Sequence, residues 1–203
     1  MTILGITGPT GAGKSLFSEY LLSQGVSVID ADEVYHSLLL PPSPCLDALR
    51  GAFGDEVFLS DGSLNRPALS KIVFRNEEKL ILLNKTVLGF VLDRINEMIG
   101  VLDKEGKPLV AIDAPTLIES GFHKECDTVI SVLSSPELRL ARIMERDGIS
   151  REAAEARIQA QKNDDFYRMH SDFVLINTEG QEEFFASCKA LLSSLASSRK
   201  EEK

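Results

Sequence analysis

At 203 residues, with 43% hydrophobic and 26% charged side chains, the chain is long and apolar enough to bury a substantial core, which excludes disorder and fibrous repeats. Its 22 Lys and Arg face 31 Asp and Glu, a net charge of -9. This argues against a general nucleic-acid or anionic-membrane binder, and any anionic substrate has to be held by local donors. Three cysteines (Cys45, Cys126, Cys188) and three histidines fit neither a closed disulfide framework nor a structural zinc site. A reducing cytoplasm is the expected compartment. Met1 to Gly8 reaches Gly and Pro too soon for the apolar core of a signal peptide, and no later stretch approaches the roughly 20 apolar residues of a membrane span.

In chain order, Ile3 to Thr7 is a short apolar run that reads as a strand and ends at Gly8. Lys14 to Ser23 carries Leu16, Phe17, Tyr20, Leu21 and Leu22 at helical spacing and stops at Gly25; Val26 to Ile29 is a second strand. From Pro41 to Gly106 the pattern turns mostly helical, interrupted by Pro41, Pro42 and Pro44, with Asn65-Arg66-Pro67 reading as a cap followed by a first-turn proline. Leu109 to Ile112 and Thr128 to Leu133 are further strands. A second helical excursion, Pro136 to about Gln161, concentrates Arg139, Arg142, Arg146, Arg151 and Arg157 in an otherwise acidic chain. Phe173 to Ile176 is a strand before a last helix, and the polar tail from Ser193 to Lys203 is expected to fray. Strands separated by helices imply right-handed crossovers and a parallel sheet, so an α/β class is expected. The expected layout is one domain over 1–192, with a core of 1–40, 107–135 and 170–192, an insertion of 41–106, an arginine-rich region of 136–165, and a tail of 193–203.

Gly8-Pro9-Thr10-Gly11-Ala12-Gly13-Lys14-Ser15 matches the P-loop pattern in full, after a strand and at the start of a helix. Average composition gives the four fixed positions a chance on the order of one in a hundred of coinciding in such a chain. The glycines let backbone N–H groups converge on phosphate oxygens, and the helix start adds about half a positive charge. Lys14 can reach the β and γ phosphates and the Ser15 hydroxyl can ligate magnesium. The expected ligand is therefore a nucleotide, with Mg2+ beside its phosphates.

Val28-Ile29-Asp30-Ala31-Asp32 sets two carboxylates at the carboxyl end of the second strand, the sheet edge where ligands bind. Asp32 is the candidate that accepts a hydrogen bond from a substrate hydroxyl; the alternative for Asp30 or Asp32 is a helix cap. Asp113 ends the third strand, where an acidic residue supports magnesium or its water shell, with capping again the alternative. Arg142 and Arg146 stand four apart on one helical face and are the candidates to close over the phosphates, ahead of Arg139 and Arg157; the alternative is a solvated face of i to i+4 pairs.

Taken together these residues resemble the dephospho-coenzyme A kinase family, P-loop small-molecule kinases. The similarity covers nearly all of residues 1 to 190 and rests on order and spacing. It runs through Gly8 to Ser15, Val28 to Asp32 with His36, Phe53-Gly54, Asp61 to Leu69, Val73-Phe74 and Ile112 to Glu119. It continues through Arg142, Arg146-Asp147-Gly148, Arg157-Ile158 with Gln161, and Asp172 to Asn177. The resemblance implies a three-layer P-loop kinase fold with a central parallel sheet, a helical acceptor-binding insertion and a helical lid. It further implies transfer of the γ phosphate of ATP to the ribose 3′-hydroxyl of dephospho-coenzyme A, with Asp32 on the catalytic Asp and Arg142 and Arg146 in the lid. Small-molecule substrates are the expected partners, with neither nucleic acid nor membrane, and the chain is expected to be a monomer or weak homo-oligomer.

Three departures stand out. Leu88-Gly89 replaces a usual His-Pro, Tyr167 replaces a usual Lys with Ser171 in place of Ala, and the loop reads Pro-Thr-Gly-Ala with Leu16 after Ser15. The first two remove polar groups expected near the acceptor or the nucleotide. They keep open a kinase of this fold with another acceptor, or a degenerate paralogue that binds with little turnover.

Overall fold

The computed structural model describes residues 1–73, 75–178 and 180–201, with side chains described to 197. Phe74 of the Val73-Phe74 piece and the last two residues of the expected tail lie outside the described residues. In chain order the elements are β1 (Thr2–Thr7), α1 (Lys14–Ser23), β2 (Ser27–Asp30), α2 (Ala31–Leu38), α3 (Pro44–Phe53), α4 (Arg66–Val73) and α5 (Glu77–Lys104). They continue with β3 (Leu109–Asp113), β4 (Thr128–Leu133), α6 (Pro136–Asp147), α7 (Arg151–Gln159), α8 (Asp164–Met169), β5 (Phe173–Ile176) and α9 (Gln181–Glu201). The expected strands are all present and displaced by at most a residue at their ends, because each is an apolar run closed by a residue that turns the chain. α9 continues to Glu201 and so takes in most of the stretch expected to fray; Leu195 packs against the core.

The strands form one sheet in the order β2-β3-β1-β4-β5. β1 pairs in parallel with β3 and with β4, and β4 with β5, which is the result expected when each strand is followed by a helix. The register sets Ile6 opposite Asp113 and Ile130, so the carboxyl ends of the central strands finish together.

The chain divides into two compact units, residues 1–28 with 107–203 and residues 29–106. In the first, Leu4, Ile6, Phe17, Leu21, Ile130, Val132, Phe184 and Cys188 make one buried cluster between the sheet, α1 and α9. Each such side chain withdrawn from water contributes about 1.5–3 kcal/mol before the entropy of ordering is subtracted. Ile118, Leu133 and Tyr167 form a smaller cluster under α8, and Leu140, Ile143 and Ala154 seal α6 to α7.

The second unit has its own core of Leu39, Cys45, Leu46, Leu49, Phe53, Val57, Leu69, Val73 and Val87. Its helices start where sequence chemistry provides. Ser43 caps α3 with Pro44 in the first turn, Asn65 Oδ1 accepts from the Ala68 N–H at the head of α4, and Asn76 caps α5. The Asp61-Gly62-Ser63 string is a tight turn in which Asp61 Oδ1 accepts from the Ser63 N–H at 2.9 Å and its hydroxyl at 2.6 Å. Among the described residues no helix is long and apolar enough to cross a membrane.

Candidate active site

The loop from Gly8 to Ser15 leaves the central strand and enters α1. Gly8 has φ 138 and Gly13 φ 100, in the region side chains avoid. A Cβ on Gly8 would also drive into the Val132 carbonyl and one on Gly13 into the Asn177 amide, so sterics and backbone conformation both demand the two outer glycines of the motif. Gly13 is the N-cap residue of α1 and no side chain caps this helix. By contrast α2, α3, α5, α6, α7 and α8 each begin on a side chain that accepts from a first-turn amide. The amides opening α1 are thus directed at the loop, the arrangement that binds an anion.

Three successive loop carbonyls are tied down from outside. Thr10 O accepts from Arg139 Nε at 2.9 Å, Gly11 O from Arg142 Nη1 at 3.3 Å and Ala12 O from Asn177 Nδ2 at 2.9 Å. In a planar trans peptide the N–H points opposite to the C=O, so outward carbonyls aim the amides of Gly11 and Gly13 the other way. Lys14 Nζ donates to the Gly8 carbonyl at 2.9 Å.

Beside the loop lies a cavity of about 340 Å³ lined by Thr10, Gly11, Gly13, Lys14, Ser15, Arg142, Glu145 and Arg146. The two arginines expected at the phosphates therefore both reach the loop cavity, and α6 presents them at adjacent turns. Arg142 is held in place by Ser134 Oγ (3.2 Å), Asn177 Oδ1 (3.4 Å) and the Thr178 carbonyl (3.2 Å). Arg146 lies in a fork on Asp147, with Nε to Oδ1 at 2.7 Å and Nη2 to Oδ2 at 3.0 Å, and Arg157 pairs with the same carboxylate. Hydrogen bonding from Arg146 holds the Asp147 carboxyl below the ordinary range. Arg139 is different: it is 4% exposed, on the inner side of α6, and burial lowers its affinity for a proton while Asp164 opposes the shift. Glu145 adds a carboxylate to the same wall.

Asp113 is 8% exposed at the end of β3, and its Oδ2 accepts from the Ser18 hydroxyl at 2.7 Å. Ser18 stands three residues after Ser15 on α1, so the carboxylate lies along the face of that helix one turn from the Ser15 position. In the second unit, the cap alternative falls on Asp30, whose Oδ1 accepts from the Asp32 N–H at 2.8 Å and the Glu33 N–H at 3.1 Å. Asp32 is exposed in the first turn of α2. Among the described residues no group of three His, Cys, Asp or Glu could cage a metal.

Tyr167 does not lie at the cavity. It is buried in the Ile118–Leu133 cluster, and burial with the Glu119 charge pushes its hydroxyl up to about 12. The position read as a lost polar contact is here a piece of core. Gly89 is exposed on α5, and Ser171 shares a 2.5 Å hydrogen bond with Ser131. Asn177 and Gln161 are the residues whose roles sequence reading misses: both belong to strings matching the family, yet nothing in periodicity marks either as a support of the loop.

A mostly parallel five-stranded sheet, a phosphate loop leaving its central strand and an arginine-lined cavity against that loop define a P-loop kinase. The family model for dephospho-CoA kinase matches residues 2–183, and the chain belongs to that family. The dephospho-CoA kinase of Symbiobacterium thermophilum is 38% identical over 177 residues, covering 87% of this chain and 74% of the relative. The dephospho-CoA kinase of Campylobacter jejuni superposes with a TM-score of 0.72 at 29% identity, over 97% of this chain and 98% of the other. A Thermus thermophilus crystal structure gives a TM-score of 0.81 at 32% identity, over 96% and 97%.

Proposed function

We infer that this chain transfers the γ phosphate of ATP to the 3′-hydroxyl of dephospho-coenzyme A, giving coenzyme A and ADP. The observation that carries the reading is the start of α1, which has no side-chain cap and opens onto a cavity walled by Lys14, Arg142 and Arg146. The triphosphate takes the place of the missing cap. Lys14 exchanges the neutral Gly8 carbonyl for a charged phosphate oxygen, a stronger charge-assisted partner. Arg142 and Arg146 spread donors over the transferring group as charge shifts toward the leaving oxygen.

The donor set fits a hard divalent cation held chiefly by substrate: the Ser15 hydroxyl as ligand and Asp113 supporting it through water, with no protein cage needed. Mg2+ held there by Ser15 with the support of Asp113 would supply positive charge against the negative charge that develops in transfer. Asp32 accepts the hydrogen bond of the acceptor hydroxyl and takes its proton late, because a loose transition state asks for alignment of the attacking oxygen more than early deprotonation. Family membership and the side-chain cap already supplied by Asp30 support this role, since Asp32 is not needed to open α2. The enzyme acts in the cytoplasm on small molecules, as a monomer or weak homo-oligomer; three free cysteines suit that compartment.

The test is coupled detection of ADP release with Mg-ATP and, in turn, dephospho-coenzyme A, shikimate, nucleosides and nucleoside monophosphates. Turnover selective for dephospho-coenzyme A is expected. Equal or greater turnover with another acceptor overturns the substrate, and ATP binding without turnover on any acceptor identifies a degenerate paralogue.

A further inference from the structure

Thr10 is where the phosphate loop meets the helical segment that carries the arginines. Its N–H donates to Gln161 Oε1 at 2.9 Å, and its carbonyl accepts from Arg139 Nε at 2.9 Å. Arg139 Nη2 donates to that same Gln161 oxygen at 3.1 Å, closing a ring of three hydrogen bonds around one loop residue. Gln161 follows the end of α7, where its own N–H is fixed on the Ile158 carbonyl at 3.2 Å. Arg139 is on α6, and its Nη1 stands 3.8 Å from Asp164 Oδ1 at the head of α8. One loop residue is therefore gripped by side chains from α6 and the end of α7, with α8 behind them.

The chemistry of the grip is specific. One oxygen must accept from a backbone amide and a guanidinium together, which a side-chain amide or carboxylate does and a hydrocarbon does not. Arg139 is almost wholly buried, and a buried guanidinium stripped of an acceptor is costly, so the ring holds firmly as long as the Gln161 oxygen is present. Thr10 stands in the wall of the phosphate cavity, while Arg139 and Gln161 stand behind it.

We propose that Gln161, acting through Arg139 and Thr10, is a positioning residue for phosphoryl transfer. It fixes the register of the phosphate loop against α6, so that the loop amides and the Arg142 and Arg146 guanidinium groups address the same phosphates. The proposal rests on the kinase reading and is separable from it by experiment.

The full-length chain is compared with Gln161→Ala, Gln161→Glu and Gln161→Met. The readouts are titration calorimetry with Mg-ATP, steady-state kinetics with each substrate varied, and melting temperature without nucleotide. Gln161→Ala and Gln161→Met should weaken ATP binding about tenfold and lower kcat, with KM for dephospho-coenzyme A unchanged. Gln161→Glu keeps the accepting oxygen and should restore most of both losses. Gln161→Met preserves side-chain length and answers the question should the alanine variant fail to fold. Unaltered ATP affinity in the alanine and methionine variants overturns the proposal. So does a glutamate variant as impaired as the alanine one, with KM for both substrates rising in step with a fall in melting temperature, since that marks a merely structural contact. Should the unmodified chain bind ATP yet ignore dephospho-coenzyme A, the acceptor reading fails while the calorimetric comparison still decides the role of Gln161.

Discussion

Two helices in this chain follow a strand closely and treat their first-turn amides in opposite ways. α2 begins directly on β2, and Asp30 accepts from the Asp32 and Glu33 amides, so the helix start is closed by its own side chain. α1 begins after a loop on left-handed Gly13, and no side chain closes it. A cap stabilises a helix by about 1 kcal/mol. With glycine at that position its absence costs only about a few tenths of a kcal/mol and leaves donors for a ligand that brings its own negative charge. The comparison teaches where to look for function: at the helix start that forgoes a side-chain cap although the rest of the fold uses one repeatedly.

The harshest way to test that contrast is Lys14→Ala. Removing the charge proposed to serve the triphosphate should lower phosphoryl transfer by several orders of magnitude while the chain stays folded, as a melting curve recorded beside the kinetics will show. Wild-type turnover in that variant would end the assignment of the α1 start as the nucleotide site.

Asp32→Asn comes next. The cap of α2 belongs to Asp30, so the melting temperature should hold while turnover with dephospho-coenzyme A falls by about 10² to 10⁴, the usual loss on removing a general base. ATP affinity measured by calorimetry should be unchanged. Near-normal turnover would remove Asp32 from the chemistry. Gly13→Ala should have a smaller but double effect, since a left-handed backbone is strained by a side chain and the new methyl meets Asn177. A loss of about 1–3 kcal/mol in stability by denaturant unfolding, with weakened ATP binding, is expected. Asp30→Ala should cost about 1 kcal/mol with ATP affinity intact, and Asp30→Asn nearly nothing. That sequence of effects separates the capped helix start from the uncapped one.

How far this was legible in the sequence depends on the kind of signal. The strands, the parallel arrangement and the loop at its place on the sheet follow from apolar runs, glycine positions and one motif, all local properties. Even Asn65-Arg66-Pro67 reads correctly, because caps are short-range chemistry. The arginines of α6 show where local reading ends. Arg139, Arg142 and Arg146 recur at spacings of three and four on a single helix, and periodicity alone does not say which is buried against Thr10 and which line the cavity. Burial decides that, and burial depends on β4, α7 and α8 arriving from elsewhere in the chain. Gln161 and Asn177 are harder still: each acts over more than a hundred residues of separation on a loop carbonyl or amide, and neither type is characteristic of phosphate sites. Asp30 and Asp32 were ambiguous for the opposite reason. Both are local, both suit a helix start, and only the hydrogen bonds choose between them.

Tyr167 gives the smallest effect and carries the comparison away from the loop, to a position read in the sequence as a departure from the resemblance. Burial in the Ile118–Leu133 cluster and the nearby Glu119 charge both disfavour the phenolate, so its hydroxyl is pushed up to about 12. An acid whose folded pKa exceeds its unfolded value near 10 binds its proton more tightly in the native state. The stability tied to that proton is complete below pH about 10 and is lost as pH rises toward 12. Tyr167→Phe has no proton to lose. At neutral pH it should change stability by no more than about 1 kcal/mol, and ATP affinity should match the unmodified chain, because the residue is core and not cavity wall. Above pH 10 the two proteins should separate, with the phenylalanine variant retaining its melting temperature further into alkali. Melting curves across that range, paired with tyrosinate absorbance to follow ionisation, make the comparison directly. Parallel decline of both proteins would show that Tyr167 ionises freely and that its burial does not govern it; an ATP affinity changed by the loss of one hydroxyl would return this position to the neighbourhood of the nucleotide.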